Sequence, residues 1–291
     1  MLKISIITPS YNSKETILLN LDSVLSQDYK FIEHIIIDNK SNDGTLELLQ
    51  RYKDKYNKKY TFKIVSEKDS GIYHAMNKGI SLSSGDIIGF LNSDDFFANS
   101  NIVSIIAWGF AKPTKPQIIY ADICYINNNF QVIRKLKGKS YNKASFKFGF
   151  HPAHPSFYVK KEVFNKYGNF NINYKISADY ELMLRFLYKN NISSLYIDET
   201  FVKMKVGGIS NRNIKNIIKA NIECAKSWRD NNLSRFPIFI ILKLVSKLQS
   251  IRYKNIFRWG GVEPSYNILY INYSCSNYLN FNNSFNEQKA A

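Results

Sequence analysis

Between residues 2 and 91 the chain alternates short β-branched runs with longer segments of helical period, and each run ends in a polar cluster. Leu2 to Thr8 is apolar; Pro9-Ser10-Tyr11-Asn12 breaks it, and Ile17, Leu18, Leu21, Val24 and Leu25 then recur at helical spacing. Glu33 to Asp38 repeats the strand, Ser41-Asn42-Asp43-Gly44 supplies a turn and helix start, and Thr45 to Tyr56 repeats the helix. Phe62 to Ser66 and Ile87 to Leu91 give two further strands around a helix at Ile72 to Leu82. Strands alternating with helices predict a parallel sheet with right-handed crossovers, whose ligands bind beyond the carboxyl ends of the strands. The clusters Thr8 to Asn12, Asp38 to Asp43, Asp69 to Gly71 and Asn92 to Asp95 each follow a strand. Four loops are therefore expected to converge on one crevice.

The fourth cluster carries the sharpest chemistry. In D-I-I-G-F-L-N-S-D-D, residues 86 to 95, an apolar strand stops at the adjacent carboxylates Asp94 and Asp95. Hard oxygen ligands at a sheet edge suit Mg²⁺ or Mn²⁺ held against a diphosphate. The same residues also suit an ordinary Asn/Ser/Asp turn.

Beyond Phe96 the pattern changes to mixed strands, with Ile118 to Ile126 and Phe130 to Leu136 flanking an Asn-rich turn. His151-Pro152-Ala153-His154-Pro155-Ser156 leads into the apolar Phe157-Tyr158-Val159, and Ser177-Ala178-Asp179-Tyr180-Glu181 opens a periodic helix through Leu187. From Asn213 onward the chain reads as helical and basic, and residues 261–291 give no periodic signal.

At 291 residues and 45% hydrophobic, the chain can fill a real core, which excludes disorder throughout. Its net charge of +17 calls for an anionic partner: nucleic acid, an acidic membrane or a phosphorylated substrate. The excess concentrates between Phe201 and Arg258, where Glu223 and Asp230 are the only acids. Within it, Phe236-Pro237-Ile238-Phe239-Ile240-Ile241-Leu242 is apolar, too short to span a bilayer and flanked by Arg235, Lys243 and Lys247. Such a segment suits either the interface of an anionic membrane or a core helix covering the sheet. Cys124, Cys224 and Cys275 form no C-x-x-C pair, which argues against a zinc site or disulfide scaffold. With no signal-peptide pattern after Met1 and no membrane-spanning run, a cytoplasmic protein is expected.

Taken together, I-S-I-I-T-P-S-Y-N (4–12), I-I-I-D-N-K-S-N-D-G-T (35–45), E-K-D-S-G-I-Y-H-A-M-N-K-G (67–79), G-D-I-I-G-F-L-N-S-D-D (85–95) and S-A-D-Y-E-L (177–182) resemble the family 2 inverting glycosyltransferases. The resemblance covers roughly residues 1–205 and is strongest to bacterial enzymes of surface-polysaccharide synthesis, such as O-antigen (lipopolysaccharide) or capsule. It implies an α/β GT-A fold: a Rossmann-like, mostly parallel sheet flanked by helices. Residues 1–100 would bind a nucleotide sugar and 101–205 the acceptor; 206–260 would form a basic helical, membrane-associated extension, and 261–291 stay unassigned.

Residue by residue, the resemblance implies that Thr8, Pro9, Tyr11 and Asp38 hold the nucleotide, with Asp69 near the base. The family's D-x-D element falls on Asn92-Ser93-Asp94, so Asn92 and Ser93 are donor-side candidates. Asp94, followed by Asp95, becomes the expected ligand of Mn²⁺ or Mg²⁺. The family's base, an Asp usually preceded by Glu, falls on Ala178-Asp179, and inversion at the sugar carbon follows from its attack geometry. From the residues alone, Asp179 also suits a helix cap. Lys78 and His74 could face the donor or lie on the surface, and His154 is an acceptor-side candidate. His151 and His154 lack a nearby Cys or carboxylate to complete a metal set.

The function implied is metal-dependent transfer of a sugar from a nucleotide donor, UDP-linked, to a polyprenyl-diphosphate-linked saccharide, by a protein peripheral on the inner face of the plasma membrane. A nucleotidyltransferase of similar fold is weakened by the absence of a G-x-G-rich first turn. A nucleic-acid-binding module is weakened because the basic residues lie away from the strand-end loops and no recognised motif occurs. No nucleic-acid partner is therefore expected.

Overall fold

The computed structural model describes residues 1–147, 149–205 and 214–233. In the first part, β1 (Ile4–Ser10), α1 (Ile17–Leu25), β2 (Ile32–Asp38), α2 (Thr45–Asn57), β3 (Thr61–Ser66), α3 (Ile72–Leu82) and β4 (Ile87–Phe90) follow the predicted alternation. The second part contains β5 (Asp95–Phe97), α4 (Ile102–Phe110), β6 (Ile118–Ile126), β7 (Val132–Leu136), α5 (Lys143–Lys147), β8 (Tyr158–Lys160) and α6 (Lys161–Tyr167). It closes with α7 (Ala178–Met183), β9 (Ser194–Lys205) and α8 (Ile214–Asp230).

One sheet runs in the order β3-β2-β1-β4-β8-β6-β9-β5, with β7 also on β6. β1, β2, β3 and β4 are mutually parallel. The three-residue β8 is antiparallel to both β4 and β6, which restores β6 to the direction of β4, and β9 runs parallel to β6. All the longer strands but β7 thus deliver their carboxyl ends to one edge. Short reversed strands make the sheet mixed rather than wholly parallel, a distinction that periodicity within a strand cannot report.

The apolar strand runs are continuous because both faces are buried. Ile7, Ile35, Ile37, Ile88 and Phe90 pack on one side with α3, α6 and α7. Ile6, Ile36, Ile87 and Leu91 pack on the other with α1, α2 and α4. At Gly89 a Cβ would run into the ring of the fully buried Tyr158 on β8, so only glycine lets β4 and β8 approach. Cys124 and Cys224 are buried thiols, as expected of small core residues; Cys275 lies outside the described residues.

One predicted helix differs in outline. The helix expected through Leu187 keeps α geometry only to Met183 and widens into a π turn over Leu184–Lys189. There the Asn190 N–H donates to the Arg185 carbonyl, while the Arg185 side chain reaches back to the carbonyls of Gly168 (2.9 Å) and Asn169 (2.7 Å). The helix expected from Asn213 is α8, and its Cys224 and Trp228 enter the same core as α3 and α7. Arg235 to Arg258, the predicted interfacial segment, and 261–291 lie outside the described residues. Among those described, no helix is long and apolar enough to cross a membrane.

Candidate active site

Hydrogen bonds join the four strand-end loops into one rim. Asn12, at φ +48°, donates its N–H to Ser41 Oγ (2.9 Å), and its side-chain oxygen accepts from the Asn42 N–H (3.0 Å). Ser13 donates its N–H to Thr45 Oγ1 (2.9 Å), and its hydroxyl meets Ser93 Oγ (2.8 Å). Asp38 accepts from the Ser41 N–H (3.0 Å) and from Ser66 Oγ (2.6 Å), and the Asp69 N–H donates to Asn39 Oδ1 (2.6 Å). The predicted convergence of these loops is therefore physical contact.

The nucleotide candidates occupy different parts of this rim. Thr8 turns inward: its hydroxyl pairs with His34 Nε2 (3.0 Å), whose Nδ1 meets the Tyr56 hydroxyl (3.1 Å). Burial lowers the His34 pKa to about 3, so this is a neutral polar link in the core. Pro9 is buried in β1, whereas Tyr11 is 59% exposed above the loops. Asp38 is fully buried and braces Ser41 and Ser66. Asp69 binds His74 Nδ1 and Lys78 Nζ, both at 2.8 Å, and its Oδ2 is buried without a partner. Lys78 also pairs with Glu67 at 2.7 Å, so two acids share its charge.

The Asn92-Ser93-Asp94-Asp95 turn is held from beneath by Asn20 of α1. Its fully buried amide donates to the carbonyls of Asn92 (2.9 Å), Asp95 (3.2 Å) and, more distantly, Leu91 (3.4 Å). The two carboxylates have different surroundings. Asp95 is 1% exposed, begins β5 and accepts from the Asn92 amide (3.0 Å); Asp94 is only partly buried. Burial pushes the Asp94 carboxyl above its usual value and pushes Asp95 well above, the Asp94 charge adding to the second shift. Asn92 Oδ1 and Asp95 Oδ1 are buried without partners. Adjacent acids short of compensating positive charge, with unpaired oxygens beside them, fit a hard divalent cation. Among the described residues no group of three metal-binding side chains occurs, so a cation here would depend on phosphate and water for its remaining ligands.

Asp179 belongs to α7, which packs with α3 on one face of the sheet. It lies in the first turn of α7 but caps nothing; the Tyr73 hydroxyl shares its one proton between the Ile176 carbonyl (2.7 Å) and, at longer range, Asp179 Oδ1 (3.2 Å). On the same α3 helix, Asn77 exchanges two bonds with the Phe170 backbone (2.9 and 3.0 Å), and Tyr73 stacks on the Phe170 ring. The Y-H-A-M-N-K segment thus ties the Asp69 loop to Asp179.

His154 completes the arrangement. Its ring stacks on Phe90 (5.4 Å) and meets Phe170 edge-on (5.7 Å), and both ring nitrogens are buried without partners. Burial lowers its pKa, partly offset by the Asp179 charge. Its ring therefore packs on the strand that leads to the acidic turn, within electrostatic reach of Asp179. His151 is a core residue instead, buried against Phe146 and Tyr180.

Two contributors escaped sequence reasoning. Asn20 interrupts the buried stripe Ile17, Leu21, Val24, and a polar residue on such a stripe signals a required partner. Glu223 of α8 binds the turn before Asp179; an isolated acid in a basic helix was the available hint.

Known proteins share this architecture. Residues 5–172 match the profile of glycosyl transferase family 2. A PGL/p-HBAD biosynthesis glycosyltransferase of Mycobacterium tuberculosis is 24% identical over 208 residues, 71% of this chain and 78% of the relative. The UDP-Glc:alpha-D-GlcNAc-diphosphoundecaprenol beta-1,3-glucosyltransferase WfaP of Escherichia coli is 27% identical over 222 residues, 74% of this chain and 83% of the relative. Among solved structures, S. aureus TarS 1-349 in complex with UDP superposes with a TM-score of 0.53 at 20% identity, over 76% of this chain and 65% of that one. The mannosyltransferase PcManGT of Pyrobaculum calidifontis, in complex with GDP-Man and Mn²⁺, gives 0.57 at 16%, over 83% and 68%. The match spans only 39% of the longer TarS chain. With more than half its length matched by the family profile, and with a sheet, loops and carboxylates arranged as described, the chain belongs to glycosyl transferase family 2 and is a glycosyltransferase.

Proposed function

We propose that the protein transfers a sugar, with inversion, from a UDP-linked donor to a lipid-diphosphate-linked saccharide in the synthesis of a bacterial surface polysaccharide. The observation that carries this reading is Asp179 of α7, 3.2 Å from the Tyr73 hydroxyl and within electrostatic reach of His154, whose ring stacks on Phe90 of the strand that leads to the acidic turn. The similarity to WfaP, whose name specifies UDP-Glc and a diphosphoundecaprenol acceptor, supports the donor and acceptor classes, and the UDP complex of TarS supports the nucleotide.

In this mechanism Asp179 accepts the proton of the acceptor hydroxyl as that oxygen attacks the anomeric carbon from the face opposite the diphosphate. Tyr73 orients the carboxylate, and His154, neutral and with both nitrogens unpaired, hydrogen-bonds the acceptor. Tyr11 and the unpartnered Asp69 Oδ2 engage the nucleoside, with Asp38 bracing the loops from within. Asn92 and Ser93 meet the sugar or ribose. Asp94 would hold Mn²⁺ or Mg²⁺, with Asp95 behind it; when bound, the cation neutralises charge developing on the diphosphate. Phe90 and Phe170 keep water from the reacting carbon. Peripheral attachment to the inner leaflet through Arg235 to Arg258 would bring the lipid-linked acceptor to this crevice.

A panel of UDP- and GDP-sugars, offered with a GlcNAc-diphosphate-lipid acceptor and read by mass spectrometry with and without Mn²⁺, tests the reading. Metal-dependent transfer from a UDP-sugar is expected. Transfer from GDP-sugars alone, or to soluble sugars with no use of the lipid, would contradict it.

A further inference from the structure

The turn that delivers Asp179 is held from outside the segment matched by the family profile, which ends at residue 172. Glu223 of α8 is 7% exposed, and three consecutive backbone amides converge on its carboxylate. Lys175 N–H donates to Oε1 (3.1 Å), and Ile176 and Ser177 N–H each donate to Oε2 at 2.9 Å. The Ser177 hydroxyl does not cap α7; it donates to the Ala220 carbonyl of α8 (3.2 Å). On the far side of Asp179, the Trp228 indole N–H donates to the Tyr180 hydroxyl (2.9 Å) and the Asn231 amide donates to Glu181 Oε1 (2.9 Å). Both chain neighbours of the Ala178-Asp179 pair are therefore tied to α8.

We propose that Glu223 is a positioning residue for the base: its carboxylate fixes the 175–177 turn and thereby sets where Asp179 meets the acceptor hydroxyl. This rests on the reading of Asp179 as the base. The six-residue α7 is too short to hold its own conformation, so its place depends on tertiary contacts. Hydrogen bonds to an ionised acceptor are roughly twice as strong as neutral ones, and three on one buried carboxylate leave the turn little freedom. Glutamine at this position keeps the shape but turns two amide donors toward backbone donors.

The test uses the full chain in four forms: wild type, Glu223→Gln, Trp228→Phe and Asp179→Asn. Transfer is measured with the donor–acceptor pair that gives turnover, UDP binding by calorimetry, and folded fraction by thermal unfolding. A displacement of about 1 Å at a reacting group can cost roughly a hundredfold in rate. Glu223→Gln is expected to lower kcat roughly ten- to hundredfold per folded molecule, leaving donor KM and UDP affinity within about twofold. Trp228→Phe is expected to reproduce that kcat–KM split more weakly, and it decides the matter if Glu223→Gln does not fold. A lowered melting temperature with kcat unchanged would overturn the proposal, as would donor KM rising in step with the loss of rate. If Asp179→Asn is inactive while Glu223→Gln and Trp228→Phe run at the wild-type rate, only the positioning role falls. Wild-type rates from Asp179→Asn would instead remove the base assignment on which it rests.

Discussion

Replacing Asn20 with alanine tests whether the acidic turn is held in shape from below. The side chain is fully buried, and its two amide hydrogens serve the carbonyls of Asn92 and Asp95, the third contact at Leu91 being long. Alanine leaves two buried carbonyls without their donor, at about 1–2 kcal/mol each, the lower half of the usual penalty because water can enter the space vacated. The expected loss is about 2–4 kcal/mol, equivalent to roughly 5–15 °C in melting temperature for a domain of this size. Asp94 lies between the two anchored carbonyls, so on the proposed metal assignment a looser turn must also weaken Mn²⁺ binding. Thermal and urea unfolding give the stability change, and Mn²⁺ titration of transfer activity gives the functional one. A melting temperature within about 1 °C of wild type, together with an unchanged Mn²⁺ requirement, would refute the argument.

Other substitutions probe separate parts of the account. Glu33 is buried at the opposite end of β2; burial pushes its carboxyl up, but hydrogen bonds from Lys63, Ser5 and Ser84 outweigh this and bring it to about 2 from an ordinary 4.5. A lowered carboxylate pKa stabilises above the unfolded value, so Glu33→Gln should cost about 2 kcal/mol at pH 7, discounted because Lys63 is solvated; urea melts should show the difference vanish between about pH 4.5 and 2. Gly89→Ala forces a Cβ into the Tyr158 ring and should destabilise by about 1–3 kcal/mol in the same assay. Because burial holds His154 neutral, His154→Gln should lower kcat about tenfold without moving the limbs of the pH–rate profile between pH 6 and 8; a shifted limb would show that His154 itself titrates there.

The first hundred residues were legible because each of their loops is contiguous with the strand that carries it. Asp38, Asp69 and Asn92 to Asp95 could be placed at strand ends from local pattern alone, and hydrogen bonds such as Asn12–Ser41 and Ser13–Ser93 join the loops there. Side-chain direction was less legible. Thr8 carries a hydroxyl at a strand end, as a ligand contact would, yet spends it on His34, because alternation along β1 turns it to the α1–α2 face. Lys78 carries a charge at a helix expected to face the donor, yet two acids take it up. The remainder depends on distant pairing: β6 beside β9, and Glu223 beneath a turn 46 to 48 residues earlier. No periodicity reports such contacts. Asp179 could be singled out only by its resemblance to a family motif, and although α8 was legible as a helix, its contact with the 175–177 turn was not.

Asp179 decides the central claim. In Asp179→Asn the carboxylate is replaced by an amide of the same shape, which Tyr73 can still meet but which cannot take a proton. At saturating donor and acceptor, the account predicts a fall in transfer rate of roughly a hundred- to ten-thousandfold, with UDP affinity and melting temperature unchanged. A variant that transfers sugar at the wild-type rate would contradict it.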